Sequence, residues 1–263
     1  MFLKGEDMKT FLAGDRPMIT GMLKSTNKKD ILDEIRRIRE DGAEAYGFQI
    51  DILEDEWKHS HHLKEIFDAM YDKPIYCTNY MRGNTTKNIS WNTLRDQLLT
   101  AVDLGATLID IPADMFDSSD MELSMNKQAI EEQMRLIDEI HRRGGEVLMS
   151  SHVLRYIPKE TVLMIAEQHK ARGADISKIV TEANNALELN HHFEIQSLLE
   201  IHLGIKHLFL CNGTHCKKHR LLAPLLGSCL FLATENAQTG QNQPTVAEAI
   251  RILQSAEMYT EKI

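Results

Sequence analysis

The fold is decided by residues 144–180, which read GGEVLMSSHVLRYIPKETVLMIAEQHKARGADISKIV. Two short apolar runs, at 146–150 and 176–180, flank a longer segment, 158–172, whose apolar residues recur at helical spacing. Pro158 stands in the first turn of that segment, where proline is tolerated. The stretch therefore predicts a strand, a helix and a second strand, the repeating unit of a parallel β/α fold.

The same alternation extends in both directions from this stretch. Strands are predicted at 18–23, 44–50, 74–78, 107–111, 207–210 and 228–232, and helices at 30–39, 61–71, 91–104, 127–143, 183–203, 219–225 and 245–256. Eight strand–helix units in 263 residues favour a closed (β/α)8 TIM barrel, because this fold takes roughly 250 residues. We expect residues 1–263 to form one domain of this class.

Composition limits the partners that we expect. The formal net charge of -9 disfavours nucleic acid, because an acidic surface repels phosphate. No apolar run approaches the ~20 residues that span a bilayer, and residues 1–15 lack the apolar core of a signal peptide. The sequence therefore predicts a cytoplasmic protein with neither a membrane nor a nucleic-acid partner, and four cysteines without a CxxC pair are expected to be free thiols.

Lys178 is the residue that most strongly suggests chemistry. It interrupts the apolar strand 176–180, and burial inside a barrel would disfavour its charged form. A neutral amine can attack a ketone and form a Schiff base. On periodicity alone, a lysine at the strand mouth that reaches to water is the slightly better explanation. His152 follows the neighbouring strand at the same end of the barrel, where it can carry protons near neutral pH. The two together favour a catalytic site.

Four segments, taken together, resemble the type I 3-dehydroquinate dehydratase family. Ser150-Ser151-His152 is similar to the family's Ser-Tyr-His, and 173–178 is similar to its Gly-Ala-Asp-Ile-x-Lys. Asn212-Gly213 followed by Arg220 resembles a family segment with Met-Gly, a second Gly and Ser-Arg. In the last loop, Thr239 and Gln243 stand where the family has the Ser and Gln of Ser-Ala-Pro-Gly-Gln. The resemblance covers nearly the whole chain in order.

The resemblance implies a lyase of the shikimate pathway, hence of aromatic amino acid biosynthesis, that needs neither cofactor nor metal. Lys178 would form an imine with a ring ketone, and His152 would act as general base and then as general acid. Arg220, Thr239 and Gln243 would bind the substrate, a carboxylated hydroxy-ketone. A homodimer is also expected by resemblance.

The chain departs from the family on its second and third strands. The family's Glu-Trp-Arg-x-Asp is replaced by Gly-Phe-Gln-Ile-Asp at 47–51, so Gln49 would contact substrate where the family has arginine. The third strand ends in Thr-Asn-Tyr in place of Thr-x-Arg, and Arg82 follows two positions later as a further candidate. No acidic partner for His152 is evident. These changes affect the side that would bind the ring hydroxyls.

Three functions remain open from the sequence. The first is dehydration of 3-dehydroquinate or of a related β-hydroxy-keto acid. The second is a Schiff-base aldolase on another keto substrate, and the third is a barrel that binds a ligand without catalysis. The group Cys211, His215, Cys216 and His219 fits no closed zinc pattern, although His215 or His219 would contact substrate if it lay at the barrel mouth.

Overall fold

A computed structural model describes residues 9–81, 89–237 and 242–258. Its eight strands are β1 (Met18–Met22), β2 (Ala45–Gln49), β3 (Ile75–Thr78), β4 (Leu108–Pro112), β5 (Glu146–His152), β6 (Ile176–Glu182), β7 (Lys206–Asn212) and β8 (Leu230–Ala233). All paired strands are parallel, in the order β7-β6-β5-β4-β3-β2-β1-β8. The Cys229 amide donates to the His207 carbonyl at 2.9 Å and links β8 to β7. The predicted (β/α)8 barrel is confirmed.

A helix follows each strand. These are α1 (Lys28–Glu40), α2 (Ser60–Ala69), α3 (Trp91–Asp103), α4 (Lys127–Arg142), α5 (Lys159–Ala171), α6 (Ala186–His202), α7 (Cys216–Leu222) and α8 (Val246–Ser255). A short 3-10 helix at Asp55–Lys58 was not predicted. A second one, at Ala223–Leu226, directly follows α7, and the two together span the single helix predicted at 219–225. None of the helices described in these three ranges is long and apolar enough to cross a bilayer.

The barrel has two apolar layers, because successive side chains of a strand point to opposite faces. The interior contains a smaller cluster that includes Met22, Tyr76, Leu148 and Leu208. The larger cluster lies between the strands and the helices. Every second residue of each strand points into the barrel. The last inward-pointing residue at the carboxyl end of each strand therefore lies at the barrel mouth.

Strands β5, β6 and β7 extend two residues beyond their predicted ends. Their ladder pairs Ser150 with Lys178, His152 with Val180 and Glu182 with Asn212. The prediction ended each strand where apolar residues gave way to polar ones. Backbone pairing does not depend on side-chain polarity, so the strands continue and hold their polar residues in fixed positions at the mouth.

Candidate active site

Lys178 lies inside the barrel and is only 5% exposed. Its Nζ atom donates to the hydroxyls of Tyr76 and Tyr80, at 2.9 and 2.6 Å, and to Oδ2 of Asp110 at 3.0 Å. All three partners come from β3 and β4 or the residues directly after them. The lysine therefore does not extend to water, which was the alternative explanation of its position.

Asp110 is the buried counter-ion of this lysine. Its Oδ1 accepts from the Ser150 hydroxyl at 2.5 Å, and its Oδ2 accepts from the hydroxyls of Tyr76, at 2.6 Å, and Tyr80. Burial, followed by the negative charge of Asp110, raises the pKa of both tyrosines well above the usual value. The phenols therefore remain protonated and fix the position of the Lys178 amine through hydrogen bonds.

His152 ends β5, and Glu122 holds it from the loop between β4 and α4. Nδ1 of the imidazole lies 2.9 Å from Oε2 of Glu122, which also accepts from the His152 amide. A carboxylate at Nδ1 favours the tautomer with its proton there, which leaves Nε2 as the basic nitrogen. Glu122 is the acidic partner that sequence analysis did not find. It is distant in sequence and has a positive φ of 43°, so no local motif indicates it.

Tyr80 connects the two halves of the site. Its hydroxyl bonds to Lys178, and its ring packs edge-on against the His152 imidazole with centroids 5.1 Å apart. On its other side lies a cavity of about 380 Å³ that Tyr80, Glu122 and His152 line together with Trp91, Pro112, Asp114 and Arg155. The histidine thus faces open space at the barrel mouth.

The loop that carries Glu122 is held in place by a buried arginine. Arg172 donates to the carbonyls of Ala113 and Ser124, at 2.8 and 2.6 Å, and to Oε1 of Gln133 at 2.7 Å. Gln133 in turn donates to the Ala113 carbonyl at 3.0 Å. These contacts fix both ends of the loop and hence the distance between Glu122 and His152.

Arg220 is a second cation near the mouth, on α7. Its Nε donates to the Cys211 carbonyl and its Nη2 to Oδ1 of Asn212, both at 2.8 Å. Within the described ranges no carboxylate forms an ion pair with it. Burial lowers its pKa. An arginine fixed by neutral acceptors is suited to binding an incoming carboxylate.

The family model for type I 3-dehydroquinase matches residues 21–260. The chain belongs to this family. Members of the family are carbon–oxygen lyases that act through a Schiff base, which the buried amine of Lys178 is suited to form. The predicted family resemblance is confirmed.

Solved structures of 3-dehydroquinate dehydratases have the same fold, and the first of those that follow is a type I enzyme. The enzyme from Clostridium difficile, in a structure with covalently modified comenic acid, is 18% identical with a TM-score of 0.80 and covers 95% of this chain and 97% of its own. The Geobacillus kaustophilus enzyme is 15% identical (TM-score 0.81; 97% of each chain), and the Enterococcus faecalis enzyme 15% (0.76; 94% and 98%). A comparison with curated proteins finds no match.

Two β2 residues at which the sequence predicts a departure from the family, Gly47 and Gln49, have defined contacts. A Cβ atom on Gly47 would lie 2.1 Å from Sδ of Met22, so this methionine fills the space that a side chain at position 47 would need. Gln49 accepts a hydrogen bond of 2.8 Å from Nζ of Lys24, a residue that sequence analysis did not select. Burial raises the pKa of Asp51, just beyond β2, to about 6.

The other predicted site residues have different outcomes. Gln243 lies within the described ranges, and its buried Oε1 has no hydrogen-bond partner there. Arg82 and Thr239 lie outside the described residues, so their roles stay predictions. His219 packs against Phe209, an outward-facing residue of β7, and therefore lies outside the barrel and away from its mouth. Within the described ranges no three possible metal ligands cluster.

Proposed function

We propose that this protein dehydrates 3-dehydroquinate to 3-dehydroshikimate through an imine on Lys178. The observation that carries the proposal is the buried Lys178 amine at the carboxyl end of β6, with His152 at the end of the adjacent strand. Barrel enzymes build their active sites at this face. Membership in the 3-dehydroquinase family supports the same substrate.

The reaction begins when the lysine amine adds to the ring ketone. Loss of water from the adduct gives an iminium, whose positive charge lies beside the carboxylate of Asp110. The hydroxyls of Tyr76 and Tyr80 are within hydrogen-bond distance of the same nitrogen, and they can exchange protons with it as water leaves. The iminium withdraws electrons from the ring and acidifies the neighbouring C–H bond.

His152 then acts twice. Its basic nitrogen removes the proton next to the iminium carbon, and the electron pair of that C–H bond forms an enamine. The same proton returns to the β-hydroxyl, which leaves as water while the ring double bond forms. Hydrolysis of the imine releases the product and restores Lys178. The Glu122 carboxylate stabilises the histidine while it is cationic.

Arg220 is proposed to bind the substrate carboxylate. Its guanidinium is already positioned by Cys211 and Asn212, so binding costs little side-chain entropy. Gln243 approaches from the loop after β8, and its amide can add a hydrogen bond. Thr239 in that loop and Arg82 after β3 remain proposed contacts on the basis of resemblance.

Trapping with borohydride tests the imine. We expect 3-dehydroquinate plus borohydride to add the mass of the reduced substrate to Lys178, and the enone absorbance of the product to appear without borohydride. Lys178→Met should abolish both signals. Lys170→Met is the matched control, since Lys170 is on α5 and bonds to the Leu203 carbonyl. Adduct formation with other keto acids but not with 3-dehydroquinate would point to a different substrate or to an aldolase.

Two further properties belong to this proposal. We infer a homodimer and a cytoplasmic location, both from membership in the 3-dehydroquinase family. Sedimentation equilibrium tests the first and fractionation of the source cells tests the second. A monomer at micromolar concentration, or recovery outside the cytoplasm, would contradict the respective inference.

A further inference from the structure

Lys24 is a cation near the barrel mouth that the proposed reaction does not use. It follows β1, in which Met18 and Met22 pack with the barrel interior. Side chains of a strand alternate between two faces, so Lys24 continues the inward phase two residues beyond Met22. Its Nζ donates to Oε1 of Gln49, which occupies the corresponding position at the end of β2.

The ammonium group of Lys24 has unused hydrogen-bonding capacity. An ammonium has three N–H donors, and within the described ranges only the bond to Gln49 engages one of them. No carboxylate there forms an ion pair with Lys24. Burial is the largest effect that lowers its pKa, and the positive charges of Arg220 and Lys178 lower it further, against the opposing effect of Glu34. A ligand that accepts hydrogen bonds would relieve these costs.

The nearby carboxylate of Glu34 fixes the backbone and leaves the amine available. Its two oxygens accept from the amide of Lys24, at 2.9 and 3.0 Å, and one of them accepts from the Ser25 amide at 3.0 Å. Glu34 is 2% exposed. The turn after β1 is thereby held in one conformation, which directs the lysine side chain toward Gln49.

We propose that Lys24, held by Gln49, binds the two ring hydroxyls of the substrate that are retained in the product. This inference rests on the proposed function, which fixes the ring at Lys178 on β6 and its carboxylate at Arg220 after β7. His152, at the end of β5, has to reach the C–H bond on one side of the imine carbon, and the two retained hydroxyls are on the opposite edge of the ring. In the closed strand order β1 lies opposite β5 and next to β2. The hydroxylated side of the ring therefore faces Lys24, whose free N–H groups match hydroxyl oxygens as acceptors.

The assignment makes Lys24 a determinant of specificity for hydroxylated cyclic keto acids. From the turn after β1, it brings a positive charge to the end of β2, next to Gln49. Charge-assisted hydrogen bonds to hydroxyls separate substrates that have them from analogues that lack them. A molecule with the same β-hydroxy-ketone and carboxylate but without the other two hydroxyls is therefore the decisive probe.

The experiment compares two substrates in three proteins. The substrates are 3-dehydroquinate and 1-hydroxy-3-oxocyclohexane-1-carboxylate, and the proteins are wild type, Lys24→Met and, as the matched control, Lys29→Met, in which an exposed lysine of α1 is changed. We expect Lys24→Met to raise KM for 3-dehydroquinate about 10- to 100-fold, with a smaller change in kcat. The analogue should show no more than about a two-fold difference between wild type and Lys24→Met, since the missing contact has no counterpart in it.

The possible results are distinguishable. The inference is supported if Lys24→Met shows the expected rise in KM but still forms the borohydride adduct on Lys178 at saturating substrate. Recovery of the wild-type KM in Lys24→Arg also supports it. An unchanged KM for 3-dehydroquinate, or an equal rise for both substrates, overturns it while the proposed function stands. Absence of turnover and adduct in the wild-type protein overturns the proposed function and this inference together. Urea unfolding of each variant separates these results from loss of fold.

Discussion

At the scale of single residues, the site depends on a few neighbours that prepare Lys178 and His152 for reaction. Asp110 accepts hydrogen bonds from Ser150, two tyrosines and the lysine itself, so its charge is compensated in every direction. Such a fixed counter-ion suits a group that is cationic as the ammonium and again as the iminium. The phenols add position without adding charge.

Glu122→Gln should lower kcat about 10- to 100-fold, because the amide holds the imidazole but cannot stabilise its cationic form. Steady-state kinetics give kcat, and borohydride trapping on Lys178 should remain as efficient as in wild type, since imine formation does not need the histidine. Loss of trapping in this variant would contradict the division of roles between the two residues. Glu131→Gln, on α4, is the control.

Gly47→Ala should destabilise the protein by about 1 kcal/mol, because the new methyl group overlaps Sδ and Cε at the flexible end of the Met22 side chain, which has to move aside. Met22→Ala should restore part of that loss when the two changes are combined, although it creates space when made alone. Urea unfolding of the four proteins in the cycle gives the coupling free energy. Additive effects would show that Met22 does not occupy the space next to position 47.

At the scale of elements, the proposed catalytic groups depend on a loop and a helix that are distant from them in sequence. Arg172 caps the end of α5 and reaches the two ends of the β4–α4 segment that carries Glu122. Its positive charge is buried among carbonyl groups of the protein, so removal would leave several polar atoms without partners. The arginine thus links the position of α5 to that of the Glu122–His152 pair.

Arg172→Met is expected to lower the free energy of unfolding by about 3 kcal/mol, since the Ser124 carbonyl and Gln133 Oε1 lose their donor inside the protein. It should also reduce kcat in the same direction as Glu122→Gln. Thermal unfolding and steady-state kinetics provide the two values. Arg95→Met, on the exposed face of α3, should change neither, and equal stability of the two variants would contradict the proposed support.

The order and type of elements could be predicted from the sequence because apolar periodicity determines them. Pairing could not. Glu122 lies 30 residues from His152, at a position with positive φ, and the two are brought together by the ladder between β4 and β5 and by the contacts of Arg172. Lys24 lies in a polar turn before a helix, and such turns are so common that the sequence does not single this lysine out. The motif residues were found from local spacing, whereas their partners depend on tertiary contacts.

At the scale of the whole molecule, several histidines are buried between strands and helices in their neutral form. His169 lies between the hydroxyls of Ser151 and Ser177, at 3.0 and 2.9 Å, and His207 contacts Gln196 at 2.6 Å. Burial lowers the pKa of His169 to about 3, of His207 to about 4 and of His219 to about 3. The helical layer is therefore sensitive to acid.

Unfolding should become easier as the pH falls below about 6.5, the pKa of a histidine in the unfolded chain. The pKa values of these three histidines are lower in the folded state than in the unfolded chain. The stability that their neutral forms contribute is therefore fully present above that pH and is lost as the pH falls toward about 4. Each histidine that takes up a proton on unfolding adds about 1.4 kcal/mol per pH unit to the slope. Urea unfolding at pH 7, 6 and 5 measures this slope of the free energy of unfolding against pH.

His219→Phe provides the corresponding test of a single site. The ring packs against Phe193 and Phe209, so phenylalanine fits the surroundings without a group to protonate. Between pH 6 and 5, the free energy of unfolding should change less with pH in His219→Phe than in wild type. A slope identical to wild type would show that other groups determine the acid response.

The contact between Gly47 and Met22 also constrains the order in which this sequence can change over generations. A glutamate at position 47, as elsewhere in the family, would meet the methionine sulfur before it reached the mouth. A smaller residue at position 22, acquired first, would leave a void in the barrel interior. Either single step passes through a less stable protein, so the pair is expected to persist, and a change in recognition is easier on another strand, as is proposed for Lys24 after β1.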